Sequence, residues 1–186
     1  MDPFEYLVTF VSIVVGLAVG DLATSLHRLI RAGRAVRWDW LPLATAALAT
    51  LLILNAWWGF YRVGARTDYT VFGEFLPVAA PFAVLFLLAS AALPDEVGPE
   101  GLDLRAFYDA NRRYFWGLMA AYHVATVFDD AVARGIESLL QGLPNLALAG
   151  FFVALAVVRA RRFHEASVVV VLGLYLWAWW GMRLAA

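Results

Sequence analysis

Cysteine is absent from the chain. Disulfides, iron–sulfur clusters, thiolate zinc sites and cysteine nucleophiles are excluded with it. Lysine is absent too, since all 14 basic residues are arginine. That removes a retinal or pyridoxal Schiff base and the lysine of a phosphate-binding P-loop. Histidine occurs three times, which caps a histidine-built metal site at three imidazoles. Charge is scarce, at 16% of residues with a formal net charge of −1, so the sequence carries no electrostatic footprint for nucleic acid. A helical His-Glu-x-x-His, a Gly-x-Ser-x-Gly elbow and a phosphate-cradling glycine loop are all missing. An enzyme reading therefore has little support, and no cofactor or metal is expected.

What the chain has in excess is apolar surface. Hydrophobic residues make up 63% of its 186 positions, against roughly 45–50% in a soluble domain. One soluble core cannot hide that excess, because most surface positions must still face water. The composition points to a lipid bilayer, and the wealth of Ala, Arg, Gly and Val to a bacterial inner membrane.

Apolar runs near the length of a membrane crossing fall at 4–26, 41–61, 72–93, 114–132, 139–158 and 163–182. The first opens on Asp2 and Glu5 in place of a basic segment and is too long for a signal peptide. Pro94, Gly98, Pro99 and Gly101 break structure in the one sizeable polar connection. Asp103 then reads as the cap of a helix over 104–113, lying along the inner surface or running straight into the fourth span. The expected fold is an all-α integral membrane protein. It is one polytopic domain over 1–186, with six transmembrane helices and a short inner-surface helix before the fourth.

Orientation follows from arginine placement. With the N-terminus outside, ten arginines (28, 31, 34, 37, 105, 112, 113, 159, 161 and 162) lie inside, against Arg62, Arg66, Arg134 and Arg183 outside. Both termini then face outward. Tryptophans agree: from Trp40 to Trp57 is about 25 Å along a helix, close to the hydrocarbon thickness. The spacing of Arg28, Arg31, Arg34 and Arg37 resembles a voltage sensor, but they lie between spans, where the positive-inside rule accounts for them. Pro77 and Pro81 are expected to kink the third span.

Two groups of residues are candidate sites. Ser12, Gly16, Gly20 and Thr24 recur every fourth residue and form one small-residue stripe on the first span. Such a stripe permits close backbone approach, either within the molecule or across a homo-oligomer seam. The second group is a ladder of polar side chains at successive depths: Asp21 and His27 low, His123 in the middle, and Asn55, Asp129 and Asp130 high. Intramembrane ionisable groups are costly, and ion and proton pathways are built from them. The imidazole of His123 suits a proton shuttle; Asp21 has Arg28 as its expected structural partner, and Asp130 has Arg134 one turn away. The leading expectation is a channel or transporter for protons or small ions. The alternative is a non-catalytic sensor, scaffold or accessory subunit of a larger membrane assembly. Expected partners are the lipid bilayer, a second copy of the chain and a membrane partner subunit, but not nucleic acid.

Overall fold

The computed structural model describes residues 3–64 and 72–180. Arg66, Arg183 and residues 181–182 of the sixth expected span lie outside the described residues, as do the side chains of Arg62, Trp179 and Trp180. The described chain is all-α, with six helices: α1 (Pro3–Ala32), α2 (Trp40–Gly64), α3 (Phe72–Ala92), α4 (Leu104–Arg134), α5 (Leu143–Val157) and α6 (Arg161–Trp180). Among them α1, α2 and α3 are long and apolar enough to cross a membrane.

Local chemistry explains most of the boundaries. The Asp39 carboxylate accepts from the Leu41 backbone N–H at 3.0 Å and starts α2. Asp103 does the same for α4, accepting from Arg105 and Ala106 at 2.9 and 3.2 Å. Downstream of that cap nothing interrupts the helix until Gly135. Of the two expectations for residues 104–113, running straight on is the one observed: they form a single element of 31 residues with the rest of α4, about 46 Å long, and no separate short helix precedes it. Likewise α3 stays a single helix through Pro77 and Pro81. The fifth helix starts later than its apolar run, because the end of a 3-10 turn over Ile136–Leu139 and the turn at 140–142 take up its first four residues, and Pro144 sits in the first turn of α5.

The connections α1–α2, α3–α4 and α5–α6 meet at one end of the bundle. Val36–Arg37 (β1) and Leu102–Asp103 (β2) pair there as a two-residue parallel ladder. Gly101 makes this approach possible: its φ is +85°, and a Cβ would sit 2.6 Å from the Ala35 carbonyl oxygen. Arg37 pairs with Asp103 at 2.9 Å, and Arg161 bridges Asp39 at 2.6 Å and Glu165 at 2.8 Å. Burial is the largest single effect and lowers the pKa of Arg161, but the hydrogen bonds and charges of Asp39 and Glu165 together outweigh it and raise the pKa above its ordinary value. Arg28 donates to the Asp95 carbonyl at 2.8 Å, and Asn111 donates to the Ala91 carbonyl at the end of α3.

The core lies where α1, α2, α3 and α4 meet, with α5 packed along α4. On α1 the buried face runs Leu7, Val11, Val15, Ala18, Leu22, Ser25 and Leu29, at spacings of three and four. Its opposite face exposes Tyr6, Phe10, Ile13, Leu17 and Ile30, and α6 exposes Val169, Val170, Leu174 and Trp177. A coat of exposed apolar side chains that wide suits lipid better than water.

Candidate functional site

The buried stripe of α4 carries Leu104, Tyr108, Arg112, Trp116, Met119, Ala120, His123 and Val127. Spacings of four, four and seven residues put a phenol, a guanidinium, an indole and an imidazole on one face toward the neighbouring helices. Helices α5 and α6 supply the partners, and two hydrogen-bonded clusters result, one at each end of an aromatic stack.

The first cluster has His164 of α6 at its centre. Its Nε2 lies 2.9 Å from the Val158 carbonyl, which can only accept, so the ring proton is on Nε2. Nδ1 then accepts from the Tyr108 hydroxyl at 2.7 Å, and that oxygen accepts from the Trp116 indole N–H at 3.0 Å. Every donor and acceptor in this chain is assigned. Burial, opposed by the Trp116 hydrogen bond, pushes the Tyr108 hydroxyl up to about 12.

The second cluster is built on His123, 4% exposed. Its Nδ1 donates to the Asn145 amide oxygen of α5 at 3.1 Å, and Nε2 accepts from the Tyr175 hydroxyl of α6 at 3.2 Å. Between the clusters lie Phe152 and Trp116, both fully buried. The His123 and Phe152 rings are stacked with centroids 5.3 Å apart, and Phe152 and Trp116 are stacked at 5.6 Å. The stack separates the two imidazoles with apolar ring faces, which carry no exchangeable proton. Both nitrogens of each ring are engaged. Among the described residues no group of three or more His, Cys, Asp or Glu comes together as a metal site.

The residues singled out from the sequence are scattered around this arrangement. His123 is the one at its centre. Asp21 is half-buried between α1 and α3, where the Ser90 hydroxyl donates to its carboxylate at 2.9 Å. Arg28 is not its partner, as expected from spacing, because that side chain turns to the Asp95 carbonyl. His27 is exposed on the far face of α1, and Asn55 is half-buried on α2. Asp130 pairs with Arg134 near the end of α4, and Asp129 is half-buried beside it. Among the described residues, no hydrogen bond joins any two of the six ladder positions.

The small-residue stripe is split as well. Ser12 accepts from the Trp57 indole N–H at 3.0 Å and belongs to the α1–α2 contact. Gly16, Gly20 and Thr24 are exposed. A Cβ added at either glycine would meet nothing within 4 Å, so the expected tight contact inside the molecule is absent. The reason is rotational: the larger apolar side chains Val15, Ala18 and Leu22 occupy the packed face instead.

Tyr108, Trp116, Asn145, His164 and Tyr175 were not singled out by their sequence context. Two signals could have found three of them, Tyr108, Trp116 and Asn145. Tyr108, Arg112 and Trp116 repeat every fourth residue along one helix, and Asn145 interrupts an otherwise apolar run. The chain matches no protein family, no curated protein and no solved structure.

Proposed function

We propose that the chain is a non-catalytic, self-associating subunit or scaffold of a membrane assembly. It crosses the bacterial inner membrane with all six helices and keeps both ends outside. The observation that carries this reading is the state of the two buried imidazoles. Each of His123 and His164 has both ring nitrogens held by a neighbouring helix or connection. Polar groups held in that way fix how helices dock, which is the use that hydrogen bonds commonly serve between membrane helices. The bare backbone at Gly16 and Gly20 is the seam proposed for a second copy.

A second reading, conduction of protons or small ions, is favoured by Asp21. Among the described residues its carboxylate is met by a hydroxyl and not by a guanidinium. A carboxylate so placed can exchange a proton.

One reconstitution separates the two. Purified chain in liposomes, assayed with an ion panel and an internal pH dye, is expected to leave flux at the level of protein-free vesicles. Flux above that level, abolished by Asp21→Asn or His123→Ala, overturns the subunit reading and establishes the pathway. Self-association is tested in the same membranes. Because the chain has no cysteine, Gly16→Cys or Gly20→Cys is a unique thiol, and oxidation should double the mass from 20.5 kDa. A monomer after oxidation, with Leu17→Cys giving the same result, removes the α1 seam.

A further inference from the structure

Arg112 sits on the buried stripe of α4, one turn from Tyr108 on one side and from Trp116 on the other, and is only 9% exposed. A guanidinium in such a place ordinarily faces a carboxylate, since a buried charge without a partner is costly. Arg112 has none: among the described residues it enters no ion pair. Its Nη1 donates to the Asp109 carbonyl of its own helix at 2.8 Å. Nε and Nη2 are both buried and have no hydrogen-bond partner among the described residues.

The identity of those two nitrogens decides what they fit. Nε and Nη2 form one edge of the guanidinium plane, and their N–H bonds point the same way as a parallel fork. That fork matches two oxygens of a phosphate or carboxylate. The bond from Nη1 to Asp109 fixes the plane and leaves the fork preset. Neighbouring groups on α4 cannot fill it, since the Tyr108 hydroxyl already serves His164 and Trp116. Arg161 is the instructive contrast, because its charge is already answered by Asp39 and Glu165.

We propose that the Nε/Nη2 edge of Arg112 is a binding site for a phosphate-class oxyanion at the arginine-rich end of the bundle. Arg112 lies eight residues into α4, about 12 Å from the helix start. It therefore sits on the headgroup side of the aromatic stack, at the bundle end that carries Arg28 and Arg31 on the last turns of α1 and Arg34 and Arg37 in the α1–α2 connection. The phosphate diester of an anionic phospholipid and free inorganic phosphate share the required chemistry. The inference is independent of whether the protein conducts ions.

The test uses the full chain in two arms. In the first, protein reconstituted with phosphatidylcholine and phosphatidylglycerol is extracted gently, and retained lipid is counted by native mass spectrometry. In the second, inorganic phosphate is titrated onto the lipid-depleted protein in neutral detergent while Tm is followed. A headgroup site retains phosphatidylglycerol in the first arm; a free-phosphate site raises Tm in the second. In whichever arm responds, Arg112→Gln should weaken binding roughly ten-fold or more, as expected for losing a charged, doubly hydrogen-bonded contact. Arg112→Lys keeps the charge and loses the fork, so it should also bind more weakly, and it serves where the glutamine variant does not fold. Arg113→Gln, on the exposed side of α4, should bind like wild type. No response of the wild-type protein in either arm overturns the proposal, as does a response equal in wild type and both Arg112 variants.

Discussion

The Tyr108 hydroxyl is the residue on which the α4–α6 contact turns, because it both donates and accepts within one buried chain of groups. Tyr108→Phe leaves the Trp116 N–H and the His164 Nδ1 without partners in a dry contact. Each stranded buried group costs about 1–3 kcal/mol, so the variant should unfold at markedly lower denaturant concentration in detergent. Adding Trp116→Phe to Tyr108→Phe should cost less than the sum of the two single changes, because the indole donor that the first change strands is gone. Equal, additive losses would mean that the hydroxyl and the indole act independently. His123 was visible in the sequence as an ionisable group at mid-span depth. Its partners Asn145 and Tyr175 were not, because depth along a helix says nothing about which way a side chain points.

At the scale of elements, the short loops carry more information than the long helices. Asp103 caps α4 and pairs with Arg37 across the β1–β2 ladder. The Ala106 N–H is the largest effect; burial opposes it, and the Arg105 N–H with the charges of Arg37 and Arg105 tips the balance and holds the carboxyl below the ordinary 3.8. A depressed native pKa means that the stabilisation is complete above the unfolded-state value and is lost as pH falls through the native one. The Tm difference between wild type and Asp103→Ala should therefore be steady near neutral pH and shrink only below 3.8. Asp103→Asn, which still caps, should fall between them. Gly101→Ala tests the same corner through the backbone. A methyl group at positive φ, 2.6 Å from the Ala35 carbonyl oxygen, forces the ladder apart; strain of this kind costs about 1–3 kcal/mol. A Gly101→Ala protein with wild-type Tm would mean that the ladder contributes nothing to stability.

For the whole molecule, six helices with three connections meeting at one end put Pro3 and Trp180, the first and last described residues, at the other. Single cysteines read this out directly. With the proposed orientation, Ile136→Cys in the α4–α5 connection should react with a membrane-impermeant maleimide from outside the inner membrane. Glu100→Cys in the α3–α4 connection should react only after permeabilisation. The reverse pattern would turn the protein over, and reaction of both from one side would end the six-span reading.

Composition and apolar run length by themselves determined that this is a helical protein suited to a membrane, and they placed most helix ends within a few residues. Asp103 marked the start of α4 because capping is a local event that needs nothing from elsewhere in the fold. Rotation of the helices was decided only by tertiary packing. In a water-soluble helix the polar face reveals the buried one, but lipid is as apolar as a core, and that contrast is lost. So Gly16 and Gly20 looked like packing residues and came out exposed, Arg28 turned from Asp21 to the Asp95 carbonyl, and His164 became the pivot of α6. Which polar groups meet is a three-dimensional fact, set by the side chains that fill the core around them.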